Sequence, residues 1–123
     1  MLKVGATTKQ LSFLIQLAKL LTFLNTLYRG GVMVLPGFCG DDHYNILFRE
    51  YLIHLGYDVI GWGQGRNRGH THLNREALYE RVTDHCHKTG SSITLVGHSL
   101  GGIFARHIAH IMPDTVNQVI TLG

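Results

Sequence analysis

The hexapeptide Gly97-His98-Ser99-Leu100-Gly101-Gly102 has the spacing that a nucleophilic serine requires. A serine hydroxyl attacks a carbonyl only when it stands clear of its own backbone, beside donors for the negative oxygen that forms. A sharp strand-to-helix turn meets the first condition. It leaves no room for side chains two residues before and after the serine, where this chain has Gly97 and Gly101. Gly102 lets the following helix lie close to the sheet. Ser99 is therefore the candidate nucleophile of an acyl transfer. It is expected above the carboxyl edge of a sheet, at a helix N-terminus whose unpaired N–H groups favour developing negative charge. The first oxyanion donor expected is the backbone N–H of Leu100. The second is expected from the loop after the first strand, Pro36-Gly37-Phe38-Cys39-Gly40. There Gly37 lets the backbone turn inward, Gly40 lets it reverse, and Phe38 offers its N–H.

The elements that must position these groups follow from periodicity. Residues 32–35 are a short apolar run closed by Pro36-Gly37, which reads as a buried strand. Tyr44, Leu47, Phe48, Tyr51, Leu52 and Leu55 recur at helical spacing, with Asp41 or Asp42 as N-cap and Gly56 as the stop. Residues 57–61 predict a second strand, followed by a glycine-rich loop over 62–70. Leu73, Ala77, Leu78, Val82 and Cys86 mark a helix ended by Gly90, residues 93–96 a third strand, and residues 100–112 a helix stopped by Pro113. A last strand runs over 116–122. Strands alternating with helices predict an α/β fold, a parallel sheet of about four strands with helices on both faces. Gly30-Gly31 divides this domain, residues 30–123, from an amphipathic helical segment in residues 1–29.

Three strings together, Val34-Leu35-Pro36-Gly37-Phe38, Gly61-Trp62-Gly63-Gln64-Gly65-Arg66-Asn67-Arg68-Gly69 and Gly97-His98-Ser99-Leu100-Gly101-Gly102, resemble those of α/β-hydrolase lipases and esterases, and the resemblance covers residues 30–123. It implies a partial α/β-hydrolase fold containing the family's third to sixth strands in spatial order 4-3-5-6. It also implies ester hydrolysis through an acyl-serine. Many relatives carry His-Gly where this chain has Pro36-Gly37; the donor is the N–H of the following residue, so proline is tolerated there. In the family the triad runs Ser, then Asp or Glu, then His, with the acid and base on loops beyond later strands. The chain is therefore expected to be truncated before both. Acyl transfer to an alcohol, thioester hydrolysis, or an inactive binding or assembly module of the same fold are the alternatives.

Other residues compete for chemical roles. Asp41, Asp42, His70 and His72 leave strand ends on the same rim as Ser99, so a triad of Ser99, His70 and Asp41 can be drawn, but it requires a base within about 3 Å of the serine. His98 points away from its neighbour and is expected to pack under the turn. His70 with His72, His85-Cys86-His87, and His107 with His110 supply no compact four-ligand set, so no metal is expected. Cys39 beside His43 reads as a small residue in a tight loop. Gly61, Gly63 and Gly65 lack the spacing and the adjoining helix of a dinucleotide fingerprint, so no cofactor is expected. Trp62 and Phe38 are expected to line the substrate pocket, with Arg66 or Arg68 holding Trp62 in place.

Of the 123 residues, 45% are hydrophobic and only 15% charged, against roughly 25% in ordinary soluble domains. An unusually large share of the surface is expected to be covered. A net charge of +3 with dispersed basic residues gives no footprint for nucleic acid. Cys39 and Cys86 read as free thiols of a reducing, cytoplasmic compartment. In residues 11–28, Ser12, Gln16, Lys19, Thr22 and Thr26 form a polar stripe on an apolar helix. The segment is expected to pack on its own domain, with peripheral contact to a membrane or lipid interface as the alternative. The expected partners are a small-molecule or lipid ester and, along the apolar strand at 116–122, a covering partner or a missing C-terminal half.

Overall fold

The computed structural model describes residues 7–25 and 30–123. Among the described residues, four helices and four strands are connected in the order α1 (Thr8–Asn25), β1 (Gly31–Leu35), α2 (Ile46–His54), β2 (Asp58–Gly61), α3 (Arg75–Thr89), β3 (Ile93–His98), α4 (Leu100–Ile111) and β4 (Val116–Leu122), with a short 3-10 turn at His70–His72 before α3. All pairings are parallel and the strands lie side by side as β2-β1-β3-β4.

The alternation of side chains along β1 builds two cores. Met33 and Leu35 join Ile93, Leu95, Leu78 and Val82 of α3, and Phe104, Ala105 and Ile108 of α4, on one face. Val32 and Val34 join Val96, Leu17 of α1, and Phe48 and Leu52 of α2, on the other. Both faces of the sheet are covered, which is why the strands read as unbroken apolar runs. β4 keeps to this scheme only through a bulge. Ile93 pairs with Val116 but Thr94 pairs with Gln118, so Asn117 is the extra residue. The inserted residue shifts the parity of the strand. Val119 then packs on the α3/α4 face, while Ile120 and Leu122 pack on the α1/α2 face.

Local chemistry sets the helix ends. α1 opens with a reciprocal cap: the Gln10 N–H donates to Thr7 Oγ1 at 3.1 Å and the Thr7 N–H donates to Gln10 Oε1 at 2.9 Å. α2 closes at Gly56 (φ 101°), with the Gly56 N–H bonded to the Ile53 carbonyl and the Tyr57 N–H to that of Leu52. Its start lies later than the aspartates suggested. Asp41 accepts the Tyr44 N–H at 2.9 Å and so closes a preceding turn, while Asn45 stands at the N-cap position. α3 is capped by the Asn74 side chain on the Ala77 N–H and stopped by left-handed Gly90.

α1 packs on the sheet through Leu17, with Phe13 and Leu14 against the same core, while Ser12, Gln16 and Lys19 are exposed. Thr26 and Tyr28 of the sequence-defined segment lie outside the described residues. Among the described residues no helix is long and apolar enough to cross a membrane.

Candidate active site

The turn from β3 to α4 places Ser99 at φ 52° and ψ −116°. A residue with a β-carbon occupies that region at a cost of about 1–3 kcal/mol, and only where its surroundings enforce it. The enforcement here is close approach. A β-carbon on Gly97 would lie 2.3 Å from both the Gly101 carbonyl oxygen and the Gly102 nitrogen, and one on Gly101 would lie 2.3 Å from the Leu35 carbonyl oxygen. The two glycines thus let α4 start directly against β3 and against the end of β1. Two main-chain bonds complete the turn: the Ser99 N–H donates to the Leu122 carbonyl at 2.7 Å, and the Gly102 N–H to the Ser99 carbonyl at 2.9 Å. The Ser99 side chain is exposed and makes no capping bond to α4. Leu100, the first residue of α4, has no carbonyl one turn below to receive its N–H.

The loop after β1 lies against this turn. A β-carbon on Gly37 would be 3.0 Å from His98 Nδ1 and 3.6 Å from the Ser99 β-carbon, so the backbone there runs close beside the turn. Next in sequence, Phe38 carries a side chain 65% exposed, and its N–H donates to no backbone carbonyl among the described residues. The neighbouring amides are occupied. The Cys39 N–H donates to the Asn67 carbonyl at 2.7 Å and the Gly40 N–H to the Gly37 carbonyl at 2.9 Å.

Asn67 organises this loop, and sequence reasoning passed over it. It is 0% exposed. Its Nδ2 donates to the Pro36 carbonyl at 2.8 Å, its Oδ1 accepts the Gly69 N–H at 3.0 Å, and its own N–H donates to the Gly40 carbonyl at 2.7 Å. Asn67 therefore stitches the glycine-rich loop to the loop carrying Phe38 and holds Cys39 at φ 67°. The one available signal was a polar residue between two arginines in a loop otherwise built for turns. Asp42 makes a second stitch, accepting the N–H groups of Trp62 and Gly63 at 3.0 Å each.

Trp62 departs from expectation. It is 2% exposed, stacks on Phe104 with ring centroids 6.3 Å apart, and donates its indole N–H to the Gly65 carbonyl at 2.9 Å. It is a core residue under the loop and does not border the opening at Ser99. A Trp following a strand turns inward when the adjoining core has room for a large ring, which Phe104 and Leu78 supply. Arg66 and Arg68 are exposed, and it is Arg81 that reaches this corner, donating to the Gly61 carbonyl at 2.8 Å.

The space at Ser99 is an open cleft of about 500 Å³ between α4 and β4, bordered by Leu100, Ile103, Arg106, Thr121 and Leu122. Ile103 is 62% exposed and gives the cleft an apolar wall; Arg106 adds a cation. His98 faces away, its ring edge-on to Phe13 of α1 at 5.4 Å. His70 and His72 are exposed in the 3-10 turn, and no hydrogen bond joins either imidazole to Ser99 among the described residues. No group of three or more His, Cys, Asp or Glu residues is arranged to hold a metal ion among the described residues. Both cysteines are free; Cys39 is exposed, whereas burial pushes the Cys86 thiol up. No known protein family, curated protein or solved structure matches the chain.

Proposed function

We propose that the chain carries the nucleophile and oxyanion site of a serine hydrolase acting on carboxylic esters, with a partial α/β-hydrolase fold. The observation that carries this reading is the backbone of Ser99, held at positive φ by two glycines that could not be larger. A fold keeps such strain where it presents a reactive group. Support comes also from the neighbour order β2-β1-β3-β4, which is the order the sequence resemblance implies for family strands 4-3-5-6.

In this reading Ser99 Oγ attacks the ester carbonyl, and the carbonyl oxygen becomes negative facing the N–H groups of Leu100 and Phe38. The oxyanion collapses, the alcohol leaves with a proton, and water later cleaves the acyl-serine. Removing one such donor costs about a hundred- to a thousandfold in rate. Leu100, Ile103 and Leu122 would receive the apolar part of a small-molecule or lipid ester, with Phe38 at the rim. The resemblance assigns the base and its acid to loops that follow later strands. A second reading, a binding or assembly module, is favoured by one observation: among the described residues no imidazole is hydrogen-bonded to Ser99.

A fluorophosphonate probe separates the two, because it modifies an activated serine and not merely an exposed one. The hydrolase reading expects covalent modification at Ser99, located by peptide mass spectrometry and lost in Ser99→Ala. Folded protein that stays unmodified would show that Ser99 is not activated in this chain.

A further inference from the structure

On the sheet face opposite α3 and α4, beside His98, α1 and α2 enclose a cleft of about 160 Å³ that the ester reading does not use. Phe13 and Leu14 line it from α1, Leu47 and Phe48 from α2. Phe13 stands edge-on to both Phe48, at 5.6 Å, and His98, at 5.4 Å, so one wall is a fixed aromatic corner. Asn45 also lines the cleft; it is 7% exposed, and its Nδ2 has no hydrogen-bond partner among the described residues. A desolvated donor without an acceptor is rare in a folded chain, because it has given up water for nothing. Its position sharpens the point. Asn45 is the N-cap residue of α2, where an asparagine carbonyl ordinarily accepts the first free N–H groups of the helix. Here the side chain makes no capping bond, and the residue lines the cleft. Lys9 lines the mouth together with Gln10, in the first turn of α1, which has no acidic residue and lies at the positive end of the helix dipole.

We propose that this cleft is a binding site for a small aromatic carboxylate, its ring against Phe13 and Phe48, its carboxylate accepting from Asn45 Nδ2 with Lys9 as the counter-charge. Size selects the class of ligand. An apolar cavity of about 150 Å³ holds one benzene ring, so a cleft of about 160 Å³ has room for a single ring. Charge selects the polar group: the free donor and the cation both call for an anionic acceptor. The site is separate from the cleft at Ser99, which opens between α4 and β4. It stands whether or not Ser99 is a nucleophile.

The test is titration of the whole chain with 4-fluorobenzoate followed by 19F NMR. A ligand of about ten heavy atoms at ordinary efficiency should saturate with Kd near about 1 mM or tighter. Asn45→Leu, which keeps the volume and removes the donor, should weaken binding about tenfold with the fold retained by circular dichroism. Lys9→Gln, an exposed change that cannot disturb the core, should weaken it a few-fold and flatten its salt dependence. Fluorobenzene should bind at least about tenfold more weakly than the acid. Absence of saturable binding by the folded wild type, or equal binding by Asn45→Leu, overturns the proposal.

Discussion

Two turns meet at the carboxyl edge of the sheet, and they are held by different forces. The turn at Ser99 is held by exclusion: Gly97 and Gly101 lie so close to neighbouring backbone that nothing else fits. The loop at Phe38 is held by attraction, through the buried Asn67 amide on the Pro36 carbonyl and the main-chain pairings of Asn67 with Cys39 and Gly40. Steric exclusion is unforgiving but local. A hydrogen-bonded clamp tolerates small movements, yet it depends on a residue 31 positions away in the chain. Orientation of the serine is thus set by close packing of its own six residues against adjoining strands, whereas orientation of the Phe38 amide is delegated to a second loop.

That contrast can be broken most severely at the glycines. Gly101→Ala drives a β-carbon into the Leu35 and Pro36 carbonyl oxygens, and the expected loss is about 4 kcal/mol or more in urea unfolding, enough to unfold the chain. Asn67→Ala should cost less, about 2–4 kcal/mol, since it leaves the Pro36 carbonyl and the Gly69 N–H without their partner. At temperatures where the variant remains folded, its rate of phosphonylation at Ser99 should fall about tenfold or more, because the loop drifts from the oxyanion. Ser99→Gly has the opposite sign: relief of the positive φ should stabilise the chain by about 1 kcal/mol while abolishing modification. The smallest effect is expected at Cys39, where Cys39→Gly relieves φ 67° and loosens the unfolded chain at once. A net change within about 0.5 kcal/mol of zero by thermal unfolding would agree.

The same contrast explains what could be read from the residues alone. Requirements of exclusion leave a signature at fixed offsets, so Gly97, Ser99 and Gly101 were legible, as was the alternation that gives the four parallel strands. The contribution of Asn67 was not, because a hydrogen bond to a distant carbonyl imposes no spacing. Trp62 was misplaced for a related reason: an aromatic beside a glycine-rich loop can turn toward solvent or core, and only the position of Phe104 decides. Asp41 and Asp42 have the chemistry of helix caps, but the turn that precedes α2 consumes Asp41, and the second loop consumes Asp42. The bulge at Asn117 is also silent in the sequence, since both parities of β4 carry apolar residues.

Past that bulge, the register of β4 acts as a tether. The Leu122 carbonyl reaches the Ser99 N–H because, past the bulge, β4 pairs residue for residue with β3 until Leu122 stands opposite His98. A main-chain acceptor is present whatever residue occupies 122, so side-chain changes there leave the tether intact. Removing the bulged Asn117 would straighten the strand and leave residues 118–122 in the same register, with the acceptor still at the serine. The register of an edge strand is therefore part of what fixes the corner on which Ser99 stands.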